Sequence, residues 1–137
     1  MSNMEFDLIY RHFATLGHTR TDTILSVGDD AALLAPDTGS GIVLTHAILQ
    51  IEPDEPLDGE RAAHELYDSC ANALSDDAHI HWALLALTSD SSSRPWLRAF
   101  AAGLDHVLRQ HQVQLVGGDT TSGAAAAELI CVAVTDA

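Results

Sequence analysis

Gln114–Gly123, QLVGGDTTSG, is the stretch on which the reading of the fold turns. An apolar run from Val113 to Val116 meets paired glycines, an aspartate and two threonines. The run reads as a strand, and Gly117 and Gly118 allow a tight turn or close approach to a ligand. Asp119 is then expected at a strand end, where ligands of α/β sheets gather. A fragment of the same character, SVGDDAALL, occupies Ser26–Leu34. Two readings fit the pair: ordinary turns, since Gly and Asp are common turn residues, or two acidic turns converging on a divalent cation.

Outward from this stretch, hydrophobic periodicity assigns the other elements. Ser2 and Glu5 have capping-box spacing, and Phe6, Ile9, Phe13 and Leu16 recur at helical intervals, which predicts a helix over 3–16. Short strands are expected at Ile24–Val27 and Ala31–Leu34, and a buried strand at Ile42–Thr45 ending at His46. Gln50–Gly59, with two prolines and four acids, reads as an exposed loop. Asp58 caps a helix that places Ala62, Leu66, Cys70 and Ala73 on one face and ends near Leu74–Asp77. Trp82–Leu87, WALLAL, has the composition of a strand covered on both sides. Pro95 suits a helix first turn. From Leu97 through Phe100, Leu104 and Val107 to His111 an apolar stripe predicts a helix of about five turns. Glu128–Thr135 closes the chain as a strand. The order defines one α/β domain over 1–137, a mixed sheet with helices on one face. Its strands are apolar on both sides, so the other face is expected to be hidden by a partner domain or a second copy.

The charge balance narrows the partners. Twenty acidic residues stand against six basic ones, all arginine, for a net charge of −14. That excludes a nucleic-acid binder, whose affinity comes from Lys and Arg on phosphates, and an anionic membrane surface. MSNMEFDLIY carries neither the basic nor the apolar segment of a secretory leader. Cys70 and Cys131 lack metal-type spacing and read as reduced core residues, so a cytoplasmic location is expected.

Several chemistries are absent as motifs. There is no lysine, hence no P-loop, and there is no GxGxxG after a strand or GxSxG elbow. What remains is a set of aspartates beside turns: Asp29 and Asp30, Asp76 and Asp77, and Asp119. Magnesium prefers carboxylate oxygens and waters and completes its shell with substrate phosphates. Aspartates alone repel ATP, but bound Mg2+ inverts the sign and becomes the phosphate clamp. Phosphoryl transfer needs mainly positioning and charge neutralisation, so no catalytic side chain is assigned.

MEFDLIYRHF, SVGDDAALL, WALLALT with PWLRAF, and VQLVGGDTTSG, in this order over nearly the whole chain, resemble the N-terminal domain of thiamine-monophosphate kinase, of the aminoimidazole ribonucleotide synthetase-like (PurM-like) ATP-binding group. The resemblance implies a four-stranded mixed sheet with helices on one face, paired through the sheet into a barrel-like homodimer with ATP near the interface. It implies transfer of the ATP γ-phosphoryl group to thiamine monophosphate with Mg2+. On it, Asp30, Asp76 and Asp119 match metal-binding aspartates, Thr45 a residue beside the metals, and Gly118 lines the nucleotide site with Asp119. The sequence also departs from the family pattern. His46 stands where the family has a magnesium-binding aspartate, and imidazole suits transition metals better. ILQIEPDE replaces an acceptor-binding segment, Asn72 is one residue further from Ser75–Asp76, DAHIHW is shortened, and Ser122 replaces an arginine. The family's C-terminal half has no counterpart in the sequence. Two functions follow: the Mg-ATP-binding domain of a thiamine-monophosphate kinase, or a degenerate relative acting as a dimeric binding or structural domain. His79 and His81 would share a strand face and, with His46, could bind zinc, but no matching Cys or His pair supports this and solvent-facing histidines are the favoured reading.

Overall fold

The structure, a computed structural model, describes residues 16–18, 20–25, 33–37, 39–51, 58–89 and 94–135. The helix expected over 3–16 and the Gly28–Asp30 turn lie outside the described residues, Leu16 excepted. The elements are β1 (Thr23–Leu25), β2 (Leu33–Leu34), β3 (Ile42–Gln50), α1 (Gly59–Ala71), β4 (Ala78–Ser89), α2 (Arg94–Gln110), β5 (Gln114–Ser122) and β6 (Ala126–Thr135). The main sheet has the order β3-β6-β4-β5. Its β4–β5 pair is parallel, joined through α2, and its other pairs are antiparallel. It is the mixed four-stranded sheet expected. Among the described residues, no helix is long and apolar enough to cross a membrane.

Each helix follows from its sequence. The Asp58 side chain accepts the Glu60 N–H at 3.0 Å and starts α1. Ala62, Ala63, Leu66, Tyr67 and Cys70 then face inward. Along α2, Leu97, Phe100, Ala101, Leu104, Val107 and Leu108 are buried. The two helices lie side by side, brought close by Gly59 against the Trp96 carbonyl and Gly103 against the Glu60 backbone. Both cover one sheet face, packing on Ile80, Ala83, Leu85, Leu87, Leu115, Ala127, Leu129, Cys131 and Ala133.

All four strands of the main sheet run further than the sequence pattern suggests, and in β3 and β5 this moves expected site residues. β3 does not end at His46; it pairs with β6 from Ile42↔Val134 to Gln50↔Ala126. Val43, Thr45, Ala47 and Leu49 face inward, while Ile42, Leu44, His46 and Ile48 alternate outward, so a polar residue in mid-strand costs nothing. β5 likewise does not stop at Val116. Ala83 pairs with Leu115 and Leu84 with Gly117, so Val116 is a bulged extra residue. The glycine pair therefore lies inside the strand, and Asp119 is opposite Ala86 rather than at a strand end. Gly118 has φ +147°, and a Cβ there would drive into the Leu85 carbonyl.

The outer face holds a second apolar cluster of Trp82, Val116, Val132 and Val134, with Leu84 and Leu34 packed on it. The small β1–β2 ribbon serves this end of the sheet: Thr23 Oγ1 accepts the Trp82 Nε1–H at 2.9 Å. Further along this face, on β3, Ile42, Leu44 and Ile48 are exposed by 49, 66 and 63%.

The two glycines of GGD should respond differently to a methyl group. Gly118→Ala should lower stability by more than about 2 kcal/mol through backbone collision and strain. Gly117→Ala, whose Cβ would meet only Leu84 Cδ2 at 3.6 Å, should change it by less than about 1 kcal/mol. Urea unfolding of both variants reads the difference.

Candidate functional site

Strand register sets the outer face around Asp119. Asp119 pairs with Ala86, Ala86 with Glu128, and Glu128 with Ile48, so these residues form one row across the sheet. Asp119 is exposed, and its Oδ1 accepts the Thr120 N–H at 2.9 Å, which presets the carboxylate. Two strands away across Ala86, roughly 10 Å in strand spacing, Glu128 Oε2 lies 3.4 Å from His46 Nδ1. Glu128 escaped the sequence reading, although a lone acid within the apolar run ELICVAVT was the signal for it.

Within the chain, Thr45 and Asp76 do not join Asp119. Thr45 faces the helices: its Oγ1 is buried without a hydrogen-bond partner, beside the Cys70 thiol. The alternation of β3 puts this hydroxyl on the opposite side of the sheet from Asp119. Asp76 is exposed in the turn between α1 and β4. Asp119 is level with Ala86, eight residues beyond the first residue of β4. At about 3.3 Å per residue, Asp76 and Asp119 are separated by roughly 26 Å along the strand. Within one chain they cannot share an ion. Asp30 lies outside the described residues, between β1 and β2. Gly118 is next to Asp119 in β5, where its lack of a side chain already serves the strand contact.

The histidines are dispersed as well. His46 on β3 and His81 on β4 are separated by β6, and no group of three His, Cys, Asp or Glu suited to a metal occurs among the described residues. Cys70 and Cys131 are free and buried. The Cys70 sulfhydryl donates to the Leu129 carbonyl at 3.4 Å, and the neighbouring Cys70 thiol together with burial pushes the Cys131 thiol far up. Cys131 is thus a protonated core thiol, whereas its hydrogen bond with Cys70 holds the Cys70 thiol below its ordinary value.

A polar cluster the sequence did not announce fastens the N-terminal segment to the sheet. Arg20 donates to Asp22 Oδ1 at 2.9 Å, to the Gln112 carbonyl at 2.9 Å and to His81 Nδ1 at 3.0 Å, and its guanidinium lies 5.9 Å above the Trp82 ring. Arginine only donates, so His81 Nδ1 accepts here and the ring is neutral. Burial raises the Asp22 carboxyl, but the hydrogen bond and charge of Arg20 outweigh it and hold the group below its ordinary value. Burial, then the Arg20 charge, push the His81 imidazole below its ordinary value despite the pull of Asp22.

With these geometries in place, comparison with known proteins defines the class. The N-terminal domain of AIR synthase related protein matches residues 28–135, and the chain belongs to this family. Its curated relatives are thiamine-monophosphate kinases: that of Haemophilus influenzae is 36% identical over 135 residues, covering 90% of this chain and 38% of the relative. The crystal structure of thiamine-monophosphate kinase from Stenotrophomonas maltophilia K279a superposes with a TM-score of 0.73 at 29% identity, covering 85% of this chain and 38% of that one. AaThiL complexed with AMPPCP and TMP has the same fold, with a TM-score of 0.63 at 16% identity over 74% of this chain and 34% of its own. The chain thus spans under two fifths of the length of these relatives, and corresponds to their N-terminal portion.

His81 gives the stability a testable pH dependence. Its folded value lies below the ordinary 6.5, so as pH falls through that value the unfolded chain takes up the proton first. Stability is lost there, and the loss levels off once the pH passes below the folded value. His81→Gln should therefore lose less stability than the parent between about pH 7.5 and about pH 5, as read from urea midpoints at both pH values.

Proposed function

We propose that the chain supplies the nucleotide-binding part of a thiamine-monophosphate kinase-like phosphotransferase, which passes the γ-phosphoryl group of ATP to thiamine monophosphate in the cytoplasm. The observation that carries this is Asp119: an exposed carboxylate, preset by the Thr120 N–H, on the outer sheet face of a family member. A hard, anionic oxygen donor fits magnesium, whereas the imidazole of His46 does not. Asp119, together with Asp30 from the segment between β1 and β2, would hold Mg2+, and Gly118 leaves the backbone open beside the nucleotide. The cation supplies neutralisation of the phosphates, which an acidic protein otherwise repels. The role of the chain's own residues is to orient. On this reading Thr45 and Asp76 stand outside the site formed within one chain, since Thr45 faces the helices and Asp76 precedes the start of β4. AMPPCP and TMP in AaThiL, and the thiamine-monophosphate kinases among the relatives, support the substrates named.

The same face is proposed to pair with a second copy of the chain. Ile42, Leu44 and Ile48 alternate along β3 and stand in water in the single chain. Each contributes about 1.5–3 kcal/mol when fully buried. A second reading, that the chain is a degenerate relative that no longer transfers phosphate, is favoured by His46 beside Glu128 in this face and by the separation of Asp76 from Asp119.

Mg-ATP should raise the melting temperature, by an amount equivalent to about 2.7 kcal/mol at a ligand concentration of about 100 Kd, and Asp119→Asn should abolish the rise. No rise at millimolar Mg-ATP selects the degenerate reading. Light scattering should give a dimer, and Leu44→Glu, a charge placed in the open face, a monomer; a monomeric parent removes the pairing.

A further inference from the structure

On the far side of the sheet from Asp119, the groove between α1 and α2 carries a row of side chains that the kinase reading leaves unused. We infer that His64 and His106 form a two-histidine binding site for divalent transition-metal ions such as Ni2+, Cu2+ and Zn2+. The rings lie beside each other across the groove in a tilted contact, with centroids 5.8 Å apart and planes inclined at 48°. An ion bound at about 2.1 Å from an imidazole nitrogen lies roughly 3.2 Å from the ring centroid, so two imidazoles on one tetrahedral ion have centroids about 5 Å apart. The observed spacing is within a small side-chain rotation of that value.

The spacing is fixed by the backbone rather than by the histidines. One turn before them, Gly103 lies against the backbone of Glu60, where a Cβ would approach the Glu60 Cα and carbonyl oxygen to 2.8 Å. One turn after them, Tyr67 stacks on His111 with centroids 5.0 Å apart. The pair is thus held between a close helix contact and an aromatic stack, and little ordering remains for an ion to impose. His64 is half-buried and His106 exposed, so an ion reaches both from solvent.

The chemistry selects the ion. Neutral imidazole suits Zn2+, Ni2+ and Cu2+ and is a poor ligand for Mg2+. No third His, Cys, Asp or Glu completes a group of ligands among the described residues, so water fills the remaining positions. The net charge of −14 concentrates cations around the protein. The site is independent of the kinase reading and stands or falls without it.

The test uses the metals alone, without nucleotide. Ni2+ or Zn2+ added to the whole chain should raise the melting temperature, and calorimetric titration should show one ion per chain. His106→Ala should weaken the affinity by at least about tenfold, since even residues that only support a ligand are worth that much. His64→Gln, chosen to keep the half-buried volume filled, should do the same, and His46→Ala should change nothing. The inference is overturned if no metal binds, if binding survives in both His106→Ala and His64→Gln, or if His46→Ala alone removes it.

Discussion

The central strands are apolar on both faces, and that constraint organises everything else. Trp82, Leu84 and Val132 point one way while Ala83, Leu85 and Cys131 point the other, so a sheet with one cover would leave large side chains in water. The helices provide one cover in full. The β1–β2 ribbon provides part of the other, fastened by the Trp82–Thr23 hydrogen bond and by Arg20, whose charge is shared among Asp22, His81 and the Gln112 carbonyl. Past the ribbon the apolar face continues onto β3, where Ile42, Leu44 and Ile48 are exposed. The same surface also carries Asp119, so the exposed apolar strand and the candidate ligand group share one face.

Gly118 shows how closely structure and chemistry are joined there. Its positive φ and the nearness of the Leu85 carbonyl exclude a side chain on packing grounds alone. The bulge at Val116 resets the alternation just before it, so that Gly117 and Asp119 face outward while Leu115 remains in the core. Were the same residues to alternate regularly from Leu115 with no bulge, Asp119 would point toward the helices. A motif that reads as a ligand loop is therefore first a device for turning an aspartate to the correct side of a sheet.

Much of the fold was legible because it depends on local pattern. The cap at Asp58, the stripe of α2 and the apolar core of β4 each follow from neighbouring residues. What escaped depends on residues distant in sequence. β3 looked finished at His46, but its partner β6 extends it to Gln50. The glycine pair looked like a terminus because nothing local reveals a β4 strand waiting to pair beyond it. The candidate site was harder still. Thr45 and Asp76 were grouped with Asp119 by resemblance, and only register and alternation show one hydroxyl turned inward and one carboxylate at the far end of the strand. Arg20, Asp22 and His81 carry no motif; their association exists only once β1 lies on the sheet.

The acidity of the chain takes on meaning from the division between its two surfaces. On the outer face the donors are carboxylate oxygens, which hold small hard cations and, through them, phosphates. In the helix groove they are imidazole nitrogens, which hold transition metals and are indifferent to magnesium. The sheet lies between the two surfaces. A negatively charged protein draws in every cation, and charge alone does not choose among them. Donor chemistry makes the choice, and here Asp119 and the His64–His106 pair lie on opposite sides of one sheet. His46 is the exception, a nitrogen donor placed on the oxygen side, and its pairing with Glu128 keeps a carboxylate engaged in the same row as Asp119. Whatever binds on that face must either displace this pair or be built around it.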